Sequence, residues 1–201
     1  MRYWLVGLFC VGLISGCGSD DGAAIDNQGV DETALNDESP GESADSGSDT
    51  DSNTSYSEIG CNDDLIAVLT LINEKRAQEQ TCGSESYGPV GELSWNAVLA
   101  SAAQEHSDNM ANYDFFSHTG LDGSTVSTRV TAQGYTWSYV AENIAGGQPT
   151  AQSVVDAWMT SEGHCKNIMS ENPVDMGLAC SENSDATYTY YWTQVFAKPR
   201  E

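Results

Sequence analysis

The sequence predicts an α+β domain built in layers, and three observations carry that reading. Apolar residues recur at helical spacing through most of residues 61–201, then alternate at strand spacing near the end. About 141 residues are enough to bury one core. Helices that leave a terminal hairpin suit helical layers packed on an antiparallel sheet.

Each element has its own local cause. Asn62-Asp63-Asp64 can cap a first helix reaching residue 80, with Leu65, Leu69 and Ile72 on one stripe. Ser94 can cap a second, to residue 112, that turns Leu99, Ala103, His106 and Met110 inward. A third fits residues 124–133 and stops at Gly134. A fourth fits residues 151–161 and packs through Val154, Val155 and Trp158. Residues 176–180 and 188–197 alternate as strands joined by a polar turn, and the Gly-rich stretches 119–123 and 145–148 read as loops. In the last strand Tyr188, Tyr190 and Trp192 share one face, while Tyr191, Thr193 and Val195 share the other. Trp95, Trp137, Trp158 and Trp192 are expected in the core rather than in a ligand groove.

The formal charge is −23, from 30 Asp and Glu against 7 Lys and Arg. Nucleic-acid partners are thereby excluded, since phosphate neutralisation needs clustered bases. A basic patch for anionic lipid is excluded on the same ground. Residues 18–60 alone carry 12 acids and no Lys or Arg. They are rich in Ser, Asp, Glu, Gly, Asn and Thr and have no helical or strand period, so they are expected to be a disordered acidic tether. As a flexible coil such a segment reaches roughly 35–40 Å, and self-repulsion extends it.

The chain begins with Met1-Arg2 and an apolar run over residues 3–14, too short to span a bilayer, which takes about 20 apolar residues. The run ends in Leu13-Ile14-Ser15-Gly16-Cys17, which resembles a bacterial lipobox. That resemblance implies cleavage before Cys17 and lipidation of its thiol. The expected organisation is a lipoprotein signal peptide at 1–16, a tether at 17–60 and a folded domain at 61–201. The protein is expected to be exported and held to a bacterial membrane through Cys17, facing outward or periplasmic. Gly18 rather than Asp after Cys17 would favour the outer membrane in a double-membrane host.

Four cysteines remain, Cys61, Cys82, Cys165 and Cys180, an even number in an exported domain. The expected pairing is the sequence-local one, Cys61–Cys82 with Cys165–Cys180, each bridge contributing roughly 3 kcal/mol. No C-x-x-C pair supports a cysteine zinc site.

Three histidines and one glutamate are the candidate chemistry. His106, His118 and His164 lie in polar contexts, and Glu142 lies in the small-residue stretch Ala141-Glu142-Asn143-Ile144-Ala145. Read as a loop, that stretch would desolvate the carboxylate. A Glu beside two His can act as a general base or hold a divalent cation such as Zn or Mg, so His118, Glu142 and His164 are both the catalytic and the metal candidates. Ser107 and Ser117 adjoin His106 and His118, but adjacency in sequence makes no catalytic triad.

Five motifs in order form a wider pattern. They are His106-Ser107-Asp108-Asn109-Met110, Tyr113-Asp114-Phe115-Phe116-Ser117-His118, Ala141-Glu142-Asn143-Ile144-Ala145, Ala157-Trp158-Met159 with Gly163-His164-Cys165-Lys166-Asn167-Ile168-Met169, and Tyr191-Trp192-Thr193-Gln194-Val195-Phe196. Together they resemble a bacterial member of the CAP superfamily, named for cysteine-rich secretory proteins, antigen 5 and pathogenesis-related proteins. The resemblance implies a three-layer α-β-α sandwich with a mostly antiparallel central sheet, and further strands near 140–144 and 116–118. It also implies a cleft, which in eukaryotic relatives holds two His and two Glu. Carried over, the first His is His118 and the first Glu is Glu142. Ser161, beside Glu162, stands where the second Glu would be, and Tyr191 where the second His would be. His164 is expected to fill that space and His106 to support it.

The expected function is that of a monomeric, membrane-anchored extracellular binding module with a His/Glu-lined cleft of His106, His118, Glu142, His164 and Tyr191. Its ligand would be a divalent cation, a lipid, a sterol or a surface protein. The alternative is a cation-dependent or Glu/His-based hydrolase of peptide or cell-envelope material, and a structural protein with a vestigial cleft is the third reading.

Overall fold

The computed structural model describes residues 59–63 and 65–201. The expected signal peptide at 1–16, the lipidation at Cys17 and the tether up to residue 58 lie outside the described residues. Ile59 is already buried, and its carbonyl accepts from the Ala151 amide at 2.7 Å.

The chain runs α1 (Ile66–Arg76), a small hairpin of β1 (Gln80–Cys82) and β2 (Glu85–Tyr87), β3 (Ser94–Trp95), α2 (Ala97–Tyr113), α3 (Val126–Ala132), β4 (Trp137–Gly146), α4 (Ala151–Thr160), α5 (Glu162–Ile168), β5 (Asp175–Glu182) and β6 (Tyr190–Pro199). The central sheet has the order β3-β5-β6-β4, antiparallel throughout except for the short β3–β5 pair. Alternation along β6 separates two cores. Trp192 and Phe196 face α1, α4 and α5, where Val68, Ile72, Val154, Trp158 and Ile168 are buried. Val195 and Ala197 face α2 and α3 with Leu99, Ala103 and Val130. Helices therefore cover both faces of the sheet, and the fold is the α+β sandwich expected.

Local capping sets several boundaries. Asn96, not Ser94, caps α2, its Oδ1 accepting from the amides of Val98 (3.0 Å) and Leu99 (3.3 Å), while Ser94 belongs to β3. Thr125 and Thr150 each close a capping box at the starts of α3 and α4. Helix α1 begins only at Ile66, because the Asp63 carboxylate accepts from the Gly60 amide instead of capping it. The expected inward face of α2 is observed in full, with Leu99, Ala103, His106 and Met110 all buried. A strand over 140–144 forms within β4, whereas residues 116–118 form none. The hairpin, β3 and α5 carry no period long enough to betray them.

The disulfides correct the sequence-local pairing: the bridges are Cys61–Cys180 and Cys82–Cys165, not Cys61–Cys82 and Cys165–Cys180. The physical reason is what lies between the cysteines. Eleven residues of α1, about 16 Å of rise, separate Cys61 from the hairpin that carries Cys82. Cys165 points from α5 toward that hairpin, and Cys180 points from β5 toward the turn before α1. Both bridges lie in the core on the α1/α4/α5 side of the sheet, one tying the turn before α1 to β5 and the other tying β1 to α5.

Candidate functional site: a buried Arg–Glu pair beneath an exposed histidine

Glu142 sits in mid-strand, opposite Val195 in the β4–β6 register, and the loop expected at this point begins only after Gly146. Strand alternation places its side chain on the α2/α3 face, with Val140 and Ile144. There it is 2% exposed. A buried carboxylate requires charge or hydrogen-bond partners, and it has two. Arg129 on α3, itself 3% exposed, donates from Nη2 to Oε2 at 2.7 Å. His118, on the connection between α2 and α3, donates from Nδ1 to Oε1 at 2.9 Å. Because the carboxylate oxygen can only accept, Nδ1 carries the proton and Nε2 is left without a partner among the described residues. The His118 side chain is 56% exposed. The site is thus an imidazole offered to solvent, oriented by a buried carboxylate that is in turn held by a buried guanidinium.

Arg129 does more than pair with Glu142. It also donates to the His118 carbonyl (3.2 Å), the Ser124 carbonyl (3.1 Å) and the Ser124 hydroxyl (3.4 Å), so one side chain fastens the 118–124 connection to β4. Motif reading does not single it out. Its one signal is that of a scarce base in an acidic chain, placed next to Val130 on the inward stripe of a short helix.

His106 lies beneath the site, on the inward face of α2. It is buried on α2, donates from Nε2 to the Ser117 carbonyl at 2.9 Å and meets Phe115 edge to face. That bond fixes the residue before His118. Burial pushes the His106 imidazole below its ordinary value, against the opposing pull of the nearby Glu142 charge.

Two other expected members are elsewhere. His164 lies on α5, packed against the opposite face of the sheet, and its backbone carbonyl accepts from Asn143, the neighbour of Glu142 that points the other way. Its motif holds α5 to the sheet. Asn167 donates to Asn143 Oδ1 (2.8 Å) and the Glu142 carbonyl (3.3 Å), and Asn143 donates to Gln194 (3.0 Å), so a buried amide chain docks α5 on the sheet. Tyr191 lines no open cleft. It is fully buried, its hydroxyl donating to Asp114 Oδ1 (3.0 Å) and accepting from the Tyr188 amide (3.2 Å). Burial, with the Asp114 carboxylate beside it, raises the Tyr191 hydroxyl above its ordinary value. Asp114 itself takes the left-handed conformation (φ 47°) that ends α2 and lets it clamp Thr187. Glu162, beside Ser161, is paired with Lys166 at 2.8 Å.

The residues therefore do not fit a divalent cation. Among the described residues no three His, Cys, Asp or Glu side chains gather closely enough to hold one. Both oxygens of Glu142 are engaged, and an ion placed on them would meet the Arg129 guanidinium. The set of His118, Glu142 and His164 is not assembled, and only the pair His118–Glu142 stands.

The surface around His118 is apolar as well as polar. Phe116 and Leu121, two large exposed hydrophobics, lie on the same connection, the exposed Tyr113 ends α2 just before it, and Phe116 packs edge to face on Tyr188 with 5.4 Å between ring centroids. Tyr188 in turn lies against Gly146, where a Cβ would come within 2.8 Å of its ring.

Comparison with known proteins places this architecture. The chain is similar to "Uncharacterized protein YkwD" of Bacillus subtilis (strain 168), 31% identical over 123 residues, which is 61% of this chain and 46% of that protein. It is also similar to "Uncharacterized membrane protein YlbC" of the same organism, 26% identical over 109 residues, 54% of this chain and 30% of that protein. The chain spans less than half the length of these curated relatives. Among solved structures, an outer surface protein from Borrelia burgdorferi superposes with a TM-score of 0.53 over 71% of this chain and 100% of that one, a likeness of fold at 17% identity. Residues 69–196 match the CAP profile, so the chain belongs to the cysteine-rich secretory protein family.

Proposed function

We propose that the protein is an exported, lipid-anchored binding module that takes an amphipathic ligand of the lipid or sterol class at the surface around His118. One observation carries this reading: an exposed imidazole, held in one orientation by buried Glu142, shares its connection with the exposed side chains of Phe116 and Leu121, and the exposed Tyr113 ends the helix just before it. A ligand hydroxyl or phosphate would hydrogen-bond to His118 Nε2 while its apolar body covers the aromatic rim. The hydrolase reading draws less support, because Glu142, its candidate base, has both oxygens committed to His118 and Arg129. Export is supported by two disulfides together with the apolar leader. The tether and the lipid on Cys17 would hold the module near the membrane that supplies such ligands.

The test is co-sedimentation of the protein starting at Gly18 with phosphatidylcholine vesicles, with and without cholesterol. Binding is expected, and a His118→Ala/Phe116→Ser double variant should weaken it at least about tenfold, or about 1.4 kcal/mol. Equal binding by that variant removes the assignment to this surface. No binding by the wild type to either vesicle removes the lipid class.

A further inference from the structure

We propose that Arg129 is a resident cation: its guanidinium does at Glu142 the work of a bound divalent ion, so that the His118 site is assembled and kept without metal. A hard divalent ion organises a protein site by drawing oxygens from separate chain segments onto one positive centre. Arg129 does this from α3. It collects the carbonyls of His118 and Ser124 and the Ser124 hydroxyl from the α2–α3 connection, and the carboxylate of Glu142 from β4. The donors of the planar fork are spread over four oxygens, the centre is buried, and the charge is permanent. The guanidinium is therefore always in place, and the orientation of His118 follows from the fold alone. The inference holds whatever ligand the His118 surface takes, so it stands or falls apart from the lipid reading.

Without the guanidinium, the same oxygens would line an anionic pocket of the kind hard cations fill. Metal dependence is latent in the site, and Arg129 suppresses it.

The experiment compares thermal unfolding of the full chain as wild type, Arg129→Ala, and Arg129→Ala/Glu142→Gln. Each is measured after chelation and then with Mg²⁺, Ca²⁺ or methylguanidinium. Shifts are taken relative to wild type in the same solution, so that general screening of an acidic protein cancels. The wild-type midpoint is expected to be unchanged by chelation. Arg129→Ala should unfold at lower temperature and regain part of that loss with Ca²⁺ or methylguanidinium, and the double variant should regain none. A wild type that loses stability on chelation and recovers with a divalent cation overturns the proposal, and this arm decides alone if Arg129→Ala does not fold. Destabilisation of Arg129→Ala that neither additive reverses also overturns it, because it reduces Arg129 to packing. So does a variant as stable as the wild type.

Discussion

Arg129 and Glu142 stand 2.7 Å apart with both side chains almost fully buried, the only acid–base pair of the described residues so enclosed. Such a pair is asymmetric in its energetics. Removing one partner strands the other charge in a place water does not reach, whereas replacing both by apolar groups removes the demand as well. Glu142→Gln is expected to lose about 3–5 kcal/mol of unfolding free energy, and Arg129→Met a similar amount. The double variant Arg129→Met/Glu142→Leu should lose distinctly less than the sum of the two. Urea denaturation of the four proteins measures this, and strictly additive losses would show that the two side chains do not act as a pair.

His106 should set part of the acid sensitivity. Its imidazole is pushed below the ordinary 6.5 by burial, so the folded state holds it neutral where the unfolded chain has already bound a proton. The stability tied to His106 is therefore complete above pH 6.5 and is lost as the pH falls from there toward the depressed folded value. The slope can approach about 1.4 kcal/mol per pH unit. A His106→Leu variant, less stable at neutral pH because it releases the Ser117 carbonyl, should show a flatter decline through that window. Unfolding free energies from pH 7 downward test this, and parallel curves for the two proteins would remove His106 from the acid response.

The disulfide pairing makes a covalent prediction. Peptide mapping without reduction should recover Cys61 linked to Cys180 and Cys82 linked to Cys165. These bridges span 119 and 83 residues, and on the chain-entropy relation each constrains the unfolded chain by about 4.5–5 kcal/mol, more than the roughly 3 kcal/mol of short local loops. Cys82→Ala/Cys165→Ala should fall by an amount of that order in chemical denaturation. Recovery of the local pairs would refute the observed connectivity.

Legibility in the sequence follows the range of the interaction. The inward face of α2, the packing of α4 and the alternation of β5 and β6 are periodic, and period survives in one dimension. Glu142 and His118 are legible as chemistry and do meet, with His106 beneath them. What cannot be read depends on contacts between distant segments. His164 sits in a polar Gly-His-Cys stretch that looks catalytic, yet the stretch folds into α5, and Asn167 three residues on docks that helix through an amide chain that crosses to Gln194. Arg129 has no motif at all, since its role is to gather oxygens from two other segments. Pairing the cysteines by proximity in sequence ignores the rigid helix between them. Alternation puts Tyr191 on the correct strand face, but the depth of that face under Asp114 and the 183–188 loop is a matter of packing.

Gly177 offers the sharpest steric test of how α2 is seated above the site. It lies on β5 opposite Val195, on the face that α2 covers, and an added Cβ would come within 2.1 Å of the Ala100 nitrogen and 2.3 Å of the Leu99 carbonyl carbon. Both are helix backbone, so no rotamer change relieves the contact and α2 itself must lift from the sheet. The helix carries His106 and ends at the clamp between Asp114 and Thr187, so the displacement should reach the His118 connection. Gly177→Ala is expected to cost about 3 kcal/mol or more. It should also shift the His118 ring resonances, although the two residues make no contact. Gly163→Ala, where an added Cβ meets nothing within 4 Å, serves as the control and should leave those resonances in place. Wild-type stability and an unchanged His118 spectrum in Gly177→Ala would mean that α2 does not seat as closely on β5 as its backbone contacts require.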